Sequence, residues 1–554
     1  MMDTNSFSLL GLLHFIHSSE LLRDFATREL NAFLWLSLVV VTTLLLRRLL
    51  SLFGLWRRAR TIPGPPSSSF SGHCKLFSRP NFTFTDVLSE SHQKYGPIVK
   101  LWLGPTQLLV SVRDPALIQE MLTKAEDKLP FTGKVFHLAF GQSSLFAPSF
   151  EKVQKRRELL ATELNERLLK NDDMIPVKVA DFISDKIEKI RKKGGIDSRL
   201  VSQHMAFTIM GATFFGDGFL ASSKAAMYEE LFMTIAKDAC FWASYNVTPF
   251  WRRGFWRYQS LCTKLKCLTE DILQHCRKGC KLFGYTDQDV HNESSNKGGS
   301  QCCSDGEFQD YYFFRDLKDY QDGKEEPCGN VMRMIFHGCQ STSALITNVL
   351  TRLVMHMEIQ DKVYSEIIMV GRNPSKYEHE DVYRMPLLLA TIYESARLLP
   401  TGPMLQRCSL KHDLSFATGV TIPAGAVLVV PVELLQKDDF SWGSDASHFN
   451  PYRFLSTVTK GSGSAEDLSV TGFSSFVLND PNENAAFLPF GSGARACIGQ
   501  KFIIQLVASV LASLLKKYEI QLSSGSDDDK NPTLKNNLPQ RHPSSQILFV
   551  RREQ

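Results

Sequence analysis

The sequence predicts a mainly α fold with a small β-rich lobe near the N-terminus, and three observations carry that prediction. Apolar residues recur at helical spacing from Pro115 to about His275 and again from Val331 to Met355. The stretch 98–112, IVKLWLGPTQLLVSV, reads as a β-hairpin with Gly104-Pro105 at its turn. Near the C-terminus a lone cysteine, Cys497, sits between glycines just before a last apolar-periodic run through Phe502, Leu506, Val510 and Leu514.

At 554 residues the chain is long enough for several domains. Its 43% hydrophobic and 22% charged residues are ordinary for a globular protein with a substantial core. A net charge of only +5 gives no compositional support for nucleic-acid binding. Twelve cysteines are too sparse for a disulfide scaffold and read as reduced thiols of a cytosol-facing domain. Cys302 and Cys303 adjoin in a polar loop. His275, Cys276 and Cys280 share a helical face, but with no second pair of ligands nearby they read as ordinary helix rather than as a zinc site.

The first thirty residues mix apolar and charged groups and receive no assignment. From Ala32 to Leu46 the chain is charge-free and mostly apolar; Arg47 and Arg48 interrupt it, and Leu49 to Trp56 continues it. The run is short of the roughly 20 residues a span needs, but with its flanks, and with arginines snorkelling, it suits a single tilted span over about 32–56. It starts too far in for a cleaved signal peptide, and no small-residue cleavage site follows. Arg47, Arg48, Arg57, Arg58 and Arg60 place its C-terminal flank in the cytoplasm. Ile62-Pro63-Gly64-Pro65-Pro66 is then a stiff, extended bend. Two polar insertions, about 286–330 and 456–484, lose apolar periodicity and read as exposed loops. Pro249-Phe250-Trp251 with Arg252, Arg253, Phe255 and Trp256 combines aromatics and cations in the way a membrane interface favours.

The cysteine loop carries the most specific chemistry. In Phe490-Gly491-Ser492-Gly493-Ala494-Arg495-Ala496-Cys497-Ile498-Gly499, glycines let backbone approach a flat group, and a helix start favours an anion such as a thiolate. Arg495 offers a planar fork for a carboxylate at that group's edge. This stretch closely resembles the haem-binding loop of the cytochromes P-450. The resemblance extends over about residues 61–548, through the motifs at 62–66, 338–342, 394–397, 449–454 and 490–499. Ala494 and Ile498 look less like the large plant-specific branch than like plant microsomal branches acting on lipids, sterols, terpenoids or hormones.

The resemblance implies the haem-thiolate fold: an N-terminal segment 1–60 with its anchor, and a catalytic domain 61–554. It implies haem b on Cys497, electrons from NADPH through NADPH-cytochrome reductase, and residence in the endoplasmic reticulum membrane with the domain in the cytosol. Phe490 and Gly491 open the haem loop, and Arg495 and Arg407 would hold haem propionates. Where the family has Trp-x-x-x-Arg, this chain has Phe150 and Gln154; Gln154 would donate a neutral hydrogen bond, unless Lys155 or Arg156 substitutes. The same basic helix would also suit docking of an acidic redox partner. Phe131, Phe136, Phe140 and Phe146 fall where the family lines its substrate cavity, though core packing would use them equally.

Glu394, Arg397 and Arg453 correspond to a structural triad behind the haem loop. In the family's oxygen-activating motif Gly338 matches, but Gln340 stands for the acid and Ser341, beside Thr342, for the threonine. A serine hydroxyl still donates a hydrogen bond, whereas an amide does not titrate. The reading is therefore a reductase-dependent monooxygenase hydroxylating an apolar small molecule. Two rivals keep the haem: a reductase-independent rearrangement enzyme, motivated by Gln340, and a non-enzymatic membrane haem protein, motivated by Gln154 and Gln340.

Overall fold

The computed structural model describes residues 20–66, 71–78, 83–128, 134–141, 144–169, 175–191, 195–243, 251–279, 329–371, 379–409, 411–457, 476–523 and 546–552. The insertion expected at 286–330 falls almost wholly outside these residues, as do Phe131, Pro249, Phe250, Cys302 and Cys303 and the side chains of His275, Cys276 and Cys280.

The main helices are α1 (Glu20–Arg58), α2 (Phe84–Tyr95), α3 (Pro115–Lys124), α4 (Lys134–Phe140), α5 (Phe150–Leu169), α6 (Ile175–Arg191) and α7 (Ser198–Phe215). They continue as α8 (Ala225–Ala243), α9 (Arg253–Gly279), α10 (Gly329–Met355), α11 (Met357–Val370), α12 (Pro386–Leu398) and α13 (Gln500–Lys517). Local chemistry sets several of their ends. Asp114 accepts from the Leu117 N–H at 2.9 Å with Pro115 at the first helical position of α3. Thr83 and Asp86 form a capping box on α2. Asp197 caps α7, and Gly216, at φ +84°, ends it.

The strands are β1 (Ile98–Leu103), β2 (Gln107–Val112), β3 (Ile196–Asp197), β4 (Leu405–Arg407), β5 (Leu414–Ser415), β6 (Thr421–Ile422), β7 (Val427–Val430), β8 (Leu455–Thr457), β9 (Phe476–Leu478), β10 (Tyr518–Leu522) and β11 (Gln546–Arg551). The expected hairpin is β1–β2, with Ile98 opposite Val112 and Gly104 at φ +73° in the turn. It is half of a four-stranded sheet of order β1-β2-β7-β4, in which β7 runs parallel to β2. The second expected insertion proves to be a hairpin at its base, because β8 and β9 pair antiparallel, Leu455 opposite Leu478.

Helix α10 is the central element and packs against α7 and α12. Its middle holds Ser341, Thr342, Ser343, Thr347, Asn348 and Val349, poor helix formers that cost at most about 0.7 kcal/mol each relative to alanine. Ile346, Val349, Leu350 and Leu353 are fully buried, and each contributes roughly 1.5–3 kcal/mol, so packing rather than propensity holds the helix. At Gly338 a Cβ would meet Met210 Sδ of α7, so the two helices approach closely here and a larger residue would have to displace that side chain.

Helix α1 carries a stripe-free apolar surface, exposed from Leu30 to Phe53, and is long and apolar enough over Thr27–Thr61 to cross a membrane. Its C-terminal end is folded onto the β lobe. Trp56 stacks on Trp102 with ring centroids 4.3 Å apart and donates to the Pro105 carbonyl at 2.9 Å. Arg58 pairs with Asp413 at 2.9 Å. The proline-rich bend is packed rather than free: Ile62 is buried, and the Pro63 carbonyl accepts from the Lys100 N–H at 2.8 Å.

Candidate active site

The loop before α13 turns on two glycines in the left-handed region, Gly491 at φ +71° and Gly493 at φ +69°. A Cβ on Gly493 would stand 2.8 Å from the Leu122 carbonyl oxygen, so the loop lies flat against the end of α3. The Cys497 N–H donates to the Phe490 carbonyl at 2.8 Å and the Ala496 N–H to Gly493 at 2.9 Å, which fixes the cysteine at the loop's inner edge. Cys497 faces a cavity of about 280 Å³. The opposite wall is α10, through Ser341, Thr342 and Leu345, and the side walls are largely aliphatic, with Met404, Leu405 and Val432.

Four cations gather around Cys497. Arg407, on β4, is 1% exposed and donates to the carbonyls of Gln406 (2.9 Å) and Ser492 (3.2 Å). Arg495 is 7% exposed, donates to the carbonyls of Glu126 (2.9 Å) and Pro148 (2.8 Å), and lies over the Phe150 ring. Arg157 donates to the Ala496 carbonyl within the loop itself. Lys128 lines the cavity. Among the described residues no ion pair joins a carboxylate to any of the four, although Asp127 and Glu126 lie near enough to Arg495 to favour its charge. Burial and mutual repulsion push Arg407 and Arg495 down to about 10, and burial followed by the three arginines pushes Lys128 down to about 8. Burial raises the Cys497 thiol, opposed by the Gly499 N–H and by Arg157 and Lys128. Buried charges without partners are costly, and a group bearing two carboxylates would relieve this cluster. A thiol, a glycine cradle and a cluster of four cations, two of them buried, fit a haem with its propionates.

Of the residues singled out in the sequence, Cys497, Arg495, Phe490, Gly491, Ser341 and Thr342 meet at this cavity, and Arg407 lies directly behind Gly491. The Ser341 hydroxyl donates to the His337 carbonyl at 2.7 Å. Gln340 is not at this cavity. It lines a second, much smaller one with Gln203, Phe232 and Met233 of α7 and α8. Gln154 lies on the outer face of α5 and donates to Glu158 at 3.0 Å. Arg157 reaches the loop instead. Phe150, Val153, Arg156, Leu160 and Leu164 are buried on α5; Arg157, half-buried and seven residues after Phe150, borders that face, whereas Gln154 is exposed. Arg157 stands in the basic run after Phe150, and that spacing is the signal that marks it. Lys128 has no comparable signal, because its position depends on the irregular chain after α3.

Behind the loop, Glu394 and Arg397 of α12 are fully buried and pair twice, at 2.7 and 2.8 Å. Arg453 joins Glu394 at 3.0 Å, and the Asn450 N–H donates to the same carboxylate at 2.9 Å. Arg397 also donates to the carbonyls of Gln436 and Ala446 and lies over the Trp442 ring. Every oxygen and most donors are satisfied, which is what a buried ion pair requires.

These features define a haem-thiolate protein, and the comparisons agree. The family model described as Cytochrome P450 matches residues 62–549. The chain belongs to the cytochrome P450 family and is a cytochrome P450 monooxygenase, with haem iron as its cofactor. Its relatives span plants and animals. Cytochrome P450 78A5 of Arabidopsis thaliana is 23% identical over 88% of this chain and 90% of that protein. The 11-oxo-beta-amyrin 30-oxidase of Glycyrrhiza uralensis is 25% identical over 79% of this chain and 78% of that protein. Human Cytochrome P450 4F11 is 24% identical over 86% and 88% respectively.

Proposed function

We propose that the chain is a membrane-anchored enzyme of the endoplasmic reticulum that takes electrons from NADPH through NADPH-cytochrome reductase and hydroxylates an apolar small molecule of the lipid, terpenoid, sterol or hormone type. The observation that carries this reading is the cavity shared by Cys497 and Ser341, with Lys128 and Arg495 in its lining and the cations Arg407 and Arg157 close by. The haem, when bound, supplies oxygen activation.

The chain's own residues do the rest. Cys497 would supply a thiolate ligand to the haem iron. Arg407 and Arg495, with Arg157 and Lys128, would neutralise the propionates and hold the haem's edge. Ser341 donates its proton to the His337 carbonyl and keeps its lone pairs to accept from a water in the cavity, so it would hold in place the water that delivers the proton. Leu345, Met404, Leu405 and Val432 exclude bulk water and favour an apolar substrate. Glu394, Arg397 and Arg453 brace the loop without touching the reacting atoms. The arginines at the C-terminal flank of α1 favour a cytosolic catalytic domain, and the docked Trp56 keeps that domain close to the bilayer.

The test is turnover with isotopically labelled dioxygen, NADPH and purified reductase on a panel of apolar substrates. One labelled oxygen atom per product, dependent on reductase, is the expected result. Product formed without reductase, or without label, would contradict it and favour rearrangement of a pre-oxidised substrate.

A further inference from the structure

One buried cation on α10 has no part in holding the haem. Arg333 is 4% exposed and lies four residues before His337 and eight before Ser341, so the three form a stripe along one face of the helix. Its Nε donates to the Gly141 carbonyl at 3.0 Å and its Nη2 to His137 Nδ1 at 2.9 Å. By accepting at Nδ1, His137 carries its proton on the other nitrogen and is neutral in this arrangement, so it is no counter-ion. A guanidinium does not lose its proton to escape burial. Among the described residues Arg333 has no carboxylate partner, which leaves a full positive charge inside the molecule with neutral ligands only.

The surroundings are aromatic. The Phe336 ring packs on Phe136 at 5.6 Å and on Phe140 at 4.5 Å. The Phe146 ring lies 4.6 Å from His337 and is 40% exposed, although it sits at the inner end of the chain leading to α5. His337 stands beside this ring. Burial, with the charges of Arg333 and Lys128 beside it, pushes it down to about 4, so it stays neutral. Lys128 in turn lines the Cys497 cavity. Along this helix face His337, beside the Phe146 ring and near Lys128, lies between Ser341 of the cavity wall and Arg333.

We propose that the substrate is an apolar molecule bearing one carboxylate. The acid pairs with the open edge of Arg333, and the apolar body lies against Phe136, Phe146 and Phe336. At ~1.5 Å per residue, Arg333 and Ser341 are about 12 Å apart along the helix, so the oxidised carbon is remote from the acid. One carboxylate suits the site because His137 and Gly141 already occupy two donors of the guanidinium fork, leaving an edge wide enough for a single planar acid. The proposal rests on oxygenation at the Cys497 cavity.

The test is a binding titration on the full-length, detergent-solubilised holoprotein, read as the shift of the haem Soret band. The probes are dodecanoic acid and abietic acid, a straight-chain and a polycyclic acid, each against its methyl ester. A charged hydrogen-bonded contact predicts that at least one acid binds about tenfold to hundredfold more tightly than its ester. In Arg333→Gln the acid and ester should bind alike, and Arg333→Lys should keep part of the preference. The reduced carbon-monoxide spectrum of each variant reports separately that the haem-thiolate site has formed, so a failed haem site and a failed acid site are distinguishable. If neither acid outbinds its ester in the wild type, or if Arg333→Gln keeps the preference, the proposal is overturned.

Discussion

Gln340 and Ser341 are adjacent on α10 yet open into different cavities: Ser341 into the one faced by Cys497, Gln340 into the small one beside Gln203 and Phe232. Successive residues on a helix are turned by about 100°, which is enough to separate them. Ser341→Ala is therefore expected to uncouple turnover, so that NADPH is consumed while peroxide rises severalfold at the expense of product. Gln340→Glu is expected to leave that partition unchanged, because its carboxylate would face α7 and α8 rather than the cavity of Cys497. Measuring NADPH, peroxide and product for the three proteins checks both. Unchanged coupling in Ser341→Ala, or improved coupling in Gln340→Glu, would contradict the assignment.

Arg157 and Gln154 separate just as cleanly. Arg157 reaches the Ala496 carbonyl of the cysteine loop, and Gln154 reaches only Glu158 on the outside of α5. Arg157→Ala is expected to weaken haem retention by about 1.5–3 kcal/mol, the range of a charged hydrogen bond. Gln154→Ala is expected to change it by less than about 0.5 kcal/mol. Haem transfer to apomyoglobin gives the comparison. Equal loss rates in the two variants would remove Arg157 from the haem site.

Glu394 and Arg397 are fully buried and bound to each other, with Arg453 on the same carboxylate. Removing one partner leaves the other charged and unpaired, at a cost of about 3–5 kcal/mol. Arg397→Leu is expected to abolish accumulation of haem-loaded protein, and Arg453→Lys, at the more open edge, to lower the melting temperature with haem still bound. Normal yield and melting of Arg397→Leu would show that the pair does not brace the fold.

Glu366 of α11 accepts from the Leu387 and Leu388 N–H groups at the start of α12, each at 2.9 Å. Burial nevertheless raises its carboxyl from 4.5 to about 7. A folded-state value above the unfolded one means that the native state holds the proton more tightly. The group's contribution is then complete below about pH 4.5 and is lost as the pH rises through about 7. Glu366→Gln cannot titrate, so the melting temperature of the wild type relative to this variant should fall across that interval. A difference that is flat with pH, or that rises, would contradict the shift.

The elements legible in the sequence were those whose signal is local. The hairpin at 98–112, the helix after Cys497 and the long helix through Gly338 each announce themselves by spacing and turn residues. What the chain does not announce is which distant segments complete them. Strands β4 and β7 join the β1–β2 hairpin from about three hundred residues later, and nothing local in Val427–Val430 specifies a parallel partner. The site follows the same division. Cys497 and Arg495 lie in one motif, whereas Lys128 and Arg333 acquire meaning only when α3, α5 and α10 converge. Gln340 was legible as a departure from a pattern, but its direction depends on helix phase and on the packing of α7 and α8.

The central claim is that Cys497 supplies a thiolate to haem iron in the cavity beneath Ser341. The reduced carbon-monoxide difference spectrum tests it most directly. The wild type should give the thiolate-type Soret band, and Cys497→His should retain haem but lose that band for the one of nitrogen-ligated haem. Survival of the thiolate-type band in Cys497→His, or its absence from correctly folded, haem-loaded wild type, would contradict the account.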